Sequence, residues 1–304
     1  MGNGVSVDLA ELIALKRFAR KIAYKPERAS NGVGNHLSKF RGRGMDFSEV
    51  RNYQAGDEIR HMEWRVTART GRPHIKLYQE ERERPVVIVT DFNPSMYFGT
   101  RKAFKSVVAA RLAALIAWTT VKQGDKIGAL LYSSARHNEF IPRAREAGVL
   151  PILASLMDYT NQVDEMMSDH SPLPLSEGLL RLRRVVKPGS IIVLISDFYH
   201  LNQDAEKHLS RLHEHNDILA YHICDPLELS SPVPALYAMT DGRQELLLDT
   251  ANTQVKADYQ QWCDQRQAAL QSVFKRLHIQ YVQLSGENDI AQVIYQTFPR
   301  RKHD

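Results

Sequence analysis

Residues Pro85–Met96 read PVVIVTDFNPSM. The apolar run Val86–Val89 is unbroken, which suits a strand buried on both faces. Polar groups begin where the strand should end: Asp91, then Asn93 and Ser95 at every second position. In open α/β sheets, ligands bind in the crevice beyond the carboxyl ends of the strands. A site in this chain is expected there.

Downstream of this stretch the rhythm is helix, strand, helix. A helix is expected over 102–122, a strand over 126–132 and a short edge strand over 139–141. Helices over 144–158 and 175–186 flank an acidic, aperiodic loop over 161–173. Ser190–Ser196, SIIVLIS, is a second fully apolar strand, ended by Asp197. Then come a helix over 205–215, a strand over 218–224 and a hairpin over 236–249 turning at Asp241-Gly242. A long helix over 253–277, a strand over 280–284 and a helix over 290–298 complete the chain. Apolar strands alternating with helices predict an α/β fold, a mostly parallel sheet flanked by helices.

Upstream, Leu9, Leu12, Ile13, Leu15 and Phe18 predict a helix over 5–24, ended by Pro26. Residues 26–44 form a glycine-rich basic arm ending Arg41-Gly42-Arg43-Gly44. A strand is expected over 45–53. A helix capped by Asp57 follows, carrying Ile59, Met62 and Val66 and stopping at Gly71. A half-exposed strand over 74–78 and the charged connector EERER lead into Pro85. Two domains are expected, an N-terminal α+β extension over 1–84 and the α/β domain over 85–304.

At 304 residues, 43% hydrophobic and 25% charged, the chain can bury a core without disulfides. No apolar run approaches the roughly 18 residues that cross a bilayer. Cys224 and Cys263 belong to no CxxC and are expected as buried thiols in a reducing, cytoplasmic compartment. A net charge of +5 is too mild to argue for nucleic acid. There is no phosphate-binding Gly-x-x-x-x-Gly-Lys-Ser/Thr and no His-Glu-x-x-His. His208, His213 and His215 are poorly spaced as ligands and are expected to be solvated.

Asp91, Asn93, Ser95 and Asp197 offer hard oxygen ligands with few charges, as Mg²⁺ accepts. The alternative is a turn in which Asp91 accepts hydrogen bonds from the backbone that follows it. A second constellation, Phe47–Glu83, holds Arg51, Tyr53, Asp57, Arg60, Trp64 and Arg69 among charges of both signs. Such a mixture suits bidentate pairs that fix an irregular segment or present it to a protein partner. Its aromatic residues, Tyr53, Trp64 and Tyr78, favour packing.

The segment from Arg41 to Met96 resembles the signature of the DUF58 family. The pattern falls on Asp46-Phe47, Arg51, Tyr53, Gly56-Asp57-Glu58, Arg60, Glu63-Trp64, Ala68-Arg69 and Glu80-Glu81, and continues through Ile195–Phe198 and Asp225-Pro226-x-Glu228. The resemblance implies a Rossmann-like, von Willebrand factor A-type domain acting as a non-catalytic adaptor. The implied partners are a MoxR-type AAA+ ATPase and a client protein, with chaperone-like assembly or activation as the task. It also implies a metal-ion-dependent adhesion site, of which Asp91, Ser95 and Asp197 match. Asn93 replaces a Ser, and the expected Thr is missing near Leu173-Pro174, leaving Ser171 or Ser176 as substitutes. A haloacid dehalogenase-type, Mg²⁺-dependent phosphohydrolase also starts from an Asp after a buried strand. It needs a second carboxylate where this chain has Asn93. Nucleic-acid binding through Arg41 and Arg43 is the third reading.

Overall fold

Every residue of β3 (Val86–Asp91) is buried, as is every residue of β4 (Ile127–Tyr132) and β6 (Ile191–Ser196). The computed structural model describes residues 4–19, 45–54, 56–80, 84–161, 172–240 and 245–299. These strands form the middle of a six-stranded sheet ordered β10-β7-β6-β3-β4-β5, with β5 at His137–Arg143, β7 at Asp217–Cys224 and β10 at Gln280–Ser285. All neighbours run parallel except β4 and β5, which are antiparallel. From β3 the chain builds outward to β4 and β5, then crosses back to β6 on the other side. The β3/β6 pair is therefore the topological switch point of the sheet. This is the expected α/β architecture, with its antiparallel strand at the edge.

Strand alternation sorts the apolar side chains onto two faces. Val86, Ile88, Ile127, Leu131, Val193 and Ile195 join one core, built with α4 (Lys105–Lys122) and α5 (Glu146–Asn161). Val87, Val89, Leu130, Ile192 and Leu194 join the other. That second core is covered by α6 (Leu175–Leu182), α7 (Gln203–His213) and α9 (Thr253–Arg276). Short α8 (Pro226–Leu229) follows β7, and α10 (Ile290–Thr297) is the last described helix. A hairpin of β8 (Leu236–Thr240) and β9 (Glu245–Asp249) forms as expected, but its turn at Asp241-Gly242 lies outside the described residues.

The chain divides into a larger unit, Met1–Arg28 with Arg84–Asp304, and a smaller one, Ala29–Glu83. The first helices thus belong with the α/β sheet, not with the signature segment as the expected boundary at 84 had it. Helices α1 (Leu9–Ala14) and α2 (Lys16–Ala19) bury Leu12 and Ala19 in the larger core. Trp118 Nε1 donates to the Leu12 carbonyl at 3.0 Å, and Arg111 pairs with Glu11 at 2.6 Å. An apolar stripe this short is stable only against a surface that covers it.

In the smaller unit, β1 (Met45–Asn52) pairs antiparallel with β2 (His74–Glu80). The helix expected from Asp57 starts later. A 3-10 turn spans Ile59–His61, and α3 covers Trp64–Thr70. Glu63 caps α3 by accepting from Arg65 N–H at 3.2 Å, and Gly71 ends it at a φ of 67°. Asp57 is engaged elsewhere: Arg51 donates to both of its oxygens, at 2.9 and 2.8 Å, and Gln54 N–H adds a third bond. A bidentate guanidinium holds a carboxylate more strongly than one backbone N–H does. The basic arm with Arg41 and Arg43, and most of EERER, lie outside the described residues.

Candidate functional site at the switch point

Parallel pairing aligns Thr90 with Ile195, so Asp91 and Asp197 leave neighbouring strands at the same rim. Asp91 is 2% exposed. Its Oδ1 accepts from Asn93 N–H and Asn93 Nδ2, each at 2.8 Å, and its Oδ2 accepts from Ser196 Oγ at 2.8 Å. The Asn93 amide also pairs with the backbone of Leu173: Nδ2 donates to its carbonyl at 2.9 Å, and Oδ1 accepts its N–H at 2.9 Å. This two-way pairing sets the amide's orientation, because the reversed amide would put oxygen against oxygen. Asn93 therefore turns its NH₂, not its oxygen, toward Asp91.

Asp197 is held differently. Its Oδ2 accepts from Lys105 Nζ at 2.9 Å, its Oδ1 from Tyr199 N–H at 3.1 Å, and its carbonyl from Arg266 at 2.9 Å. Lys105, in the first turn of α4, also reaches Glu228 at 2.6 Å. Glu228 is placed by a capping box on α8: it accepts from Asp225 N–H at 2.9 Å while Asp225 accepts from Leu227 N–H. Asp225 also accepts from the N–H and hydroxyl of Thr100, at 2.8 and 2.6 Å, tying the loop before α4 to the end of β7. The Arg266 guanidinium stacks over the Tyr199 ring at 3.5 Å.

Burial, then the nearby charge of Asp197, push the Asp91 carboxyl up to about 7 against the hydrogen bonds from Asn93 and Ser196. Burial also works against the Asp197 carboxylate, but Lys105 outweighs it and holds the group below its usual value. Burial alone would lower the Lys105 ammonium; Asp197 and Glu228 overcome it and hold the group above the ordinary lysine value. The hydroxyls of Ser95 and Tyr132 are buried without a well-formed hydrogen bond, yet each lies near enough to act on a carboxyl, Ser95 on Asp197 and Tyr132 on Asp91.

The profile of the family described as "Protein of unknown function DUF58" matches residues 49–269. The chain belongs to the DUF58 family. It is similar to uncharacterized proteins of Mycobacterium bovis and Mycobacterium tuberculosis, 29% identical over 200 residues, which covers 66% of this chain. The matched part spans 61% of the length of these relatives. Among solved structures, it is similar to a von Willebrand factor type A protein from Catenulispora acidiphila. The TM-score is 0.34, with 13% identity, 51% of this chain and 36% of the other covered. It is also similar to proximal thread matrix protein 1 of the mussel byssus, with a TM-score of 0.32, 13% identity, 46% of this chain and 38% of that one. At these scores the two likenesses lend this chain no property of either protein.

The rim of this DUF58 protein gathers Asp91, Asn93, Ser95 and Asp197, the four residues expected as metal ligands. As arranged, they do not fit a divalent ion. Asp91 Oδ1 accepts two hydrogen bonds, the Asn93 oxygen is taken by Leu173 N–H, and Asp197 is paired with an ammonium. This leaves Asp91 Oδ2 and the Ser95 hydroxyl as the oxygens with acceptor capacity to spare, too few to enclose a divalent ion. No three His, Cys, Asp or Glu among the described residues gather as ligands. The turn reading of Asp91 matches the bond from Asn93 N–H. Of the two Ser substitutes for the missing Thr, Ser171 lies outside the described residues and Ser176 meets Asn202 at 3.4 Å. His208 and His213 are half-buried and His215 is exposed. Cys224 and Cys263 are free and buried.

In the smaller unit, Arg51 and Asp57 form the bidentate pair expected of that segment. Tyr53 is half-buried and its N–H donates to the Pro73 carbonyl at 2.9 Å. Arg60 and Arg69 are exposed. Trp64 corrects the expectation that the aromatics pack: it is 66% exposed, and Ile59 is exposed as well. The side chain of Tyr78 lies outside the described residues. Sequence reading missed Lys105, Ser196 and Tyr132 as parts of the rim. Lys105 had one weak signal, a cation just ahead of the apolar run Val107–Ala110, but spacing alone could not say which carboxylates it would meet.

Proposed function

We propose that this DUF58 protein is a non-catalytic docking module that works with a MoxR-type AAA+ ATPase in the assembly or activation of client proteins. The observation that carries this reading is that the carboxylates of the switch point are engaged within the chain. Asp91, whose carboxyl sits near neutrality, is sealed from solvent by three donors of the same chain. A general base must reach the proton it takes. A network of buried charge fixed in this way holds loops in place; it does not turn substrate over. The exposed Ile59, Arg60 and Trp64 supply the kind of surface, aromatic and guanidinium, that partners bury. The family resemblance supports the choice of an AAA+ ATPase.

The test is a pull-down from the native host with and without ATP and EDTA. Recovery of an AAA+ ATPase is expected, and its absence under every condition would remove the adaptor reading. The phosphohydrolase reading is tested by a Mg²⁺ phosphatase screen with Asp91→Asn as control. No turnover is expected, because Asn93 cannot exchange a proton; turnover lost in the variant would replace docking by catalysis.

A further inference from the structure

An adhesion site of the metal-dependent kind needs three things at this rim: oxygen donors facing one point, a hydroxyl from the loop before α6, and uncompensated negative charge. The chain keeps Asp91 and the Ser95 hydroxyl, but departs on each of the three counts. Asn93 turns a donor NH₂ toward Asp91 and spends its oxygen on Leu173 N–H. Leu173 stands where the hydroxyl is expected and contributes only its backbone, which clamps the Asn93 amide. Lys105 is buried and bonds both Asp197 and Glu228, at 2.9 and 2.6 Å. These are hydrogen-bond distances for an ammonium. A Mg²⁺ ion in its place would demand near-octahedral oxygens at about 2.0–2.1 Å.

We propose that Lys105 is a built-in counter-ion that takes the charge-balancing part of a divalent cation here, so that this rim does its work without metal. The inference deepens the docking reading of the same rim. Its consequence for that reading is specific. A partner's carboxylate has no metal coordination position to fill at this rim, and contact must come through hydrogen bonds and apolar packing. The departures support one another structurally. The Asn93 amide has a partner because Leu173 offers backbone at that point, and the Asp197 carboxylate can be buried because Lys105 and Tyr199 N–H donate to it. An unpaired carboxylate at that depth would be costly.

The test uses the purified full chain alone, so it can fail while the partner assignment stands, and the reverse. Equimolar Mn²⁺ is added and the free-ion signal is followed by electron paramagnetic resonance. The wild type is expected to leave that signal unchanged. A double variant, Lys105→Gln with Asn93→Ser, is expected to lose free signal, with Mg²⁺ restoring it by competition. Loss of signal in the wild type, reversed by Mg²⁺ and absent in Asp91→Asn, would overturn the proposal. A folded double variant that ignores Mn²⁺ would overturn the role given to Lys105. Should the double variant fail to fold, the wild-type titration decides, together with its melting temperature, expected to be the same in Mg²⁺ and in EDTA.

Discussion

His222 shows how burial changes the chemistry of one residue. It lies in β7 with its Nδ1 at 2.6 Å from the Tyr281 hydroxyl, and burial lowers its pKa to about 4. The unfolded chain would protonate it near 6.5. Between those values the unfolded state binds the extra proton, so the contribution is complete above about 6.5 and is lost as pH falls toward 4, up to about 3 kcal/mol. Asp91 acts in the opposite sense. Its folded form keeps a proton to about 7 and its unfolded form only to 3.8, so its contribution falls as pH rises across that window. His222→Gln isolates the first effect: the stability difference from wild type should shrink steadily from pH 7 to about pH 4.5 in urea unfolding. Lys105→Met should cost about 3–5 kcal/mol at neutral pH, because it strands the buried Asp197 carboxylate and unpairs the half-buried Glu228. The positions of Asp91 and Asp197 were legible from sequence, since each polar residue follows an apolar run. Lys105 was not, because its partners lie just after β6 and in α8, far along the chain.

The elements were legible in outline because hydrophobic period survives local irregularity. Strands β3, β4 and β6 fall where unbroken apolar runs placed them, within a residue. What failed was competition between local options. Asp57 had the form of a helix cap, but Arg51 took it, and the helix begins at Trp64 behind Glu63. The first helix was legible as an apolar stripe, whereas its seat against α4 was not. That seat can be tested: Leu12→Ala removes a fully buried side chain and should cost about 2–5 kcal/mol in urea unfolding. Because Trp118 bonds the Leu12 carbonyl, its fluorescence should report the same transition.

The molecule as a whole comprises two units, and each poses its own test. In the larger unit the rim is closed chemistry. In the smaller one, Ile59, Arg60 and Trp64 are exposed and hold no part of a core. Trp64→Ala with Arg60→Glu should therefore change stability by no more than about 0.5 kcal/mol. The same pair should weaken partner binding by on the order of 2 kcal/mol, about thirtyfold, in a titration with the recovered ATPase. Binding unchanged by the pair would remove the segment from the docking surface. Among the described residues no helix is long and apolar enough to cross a membrane.

By itself the sequence determined the strand-and-helix order, the parallel sheet and the family, because periodicity, apolar runs and motif spacing are properties of neighbouring residues. It also located the rim, since strand ends in a parallel sheet collect on one side. Only the tertiary structure decided what the rim is made of. Which end of the Asn93 amide faces Asp91, which cation neutralises Asp197, and which core receives the first helix all depend on groups far apart in the chain, whose pairing is chosen by burial and hydrogen-bond geometry in the assembled fold.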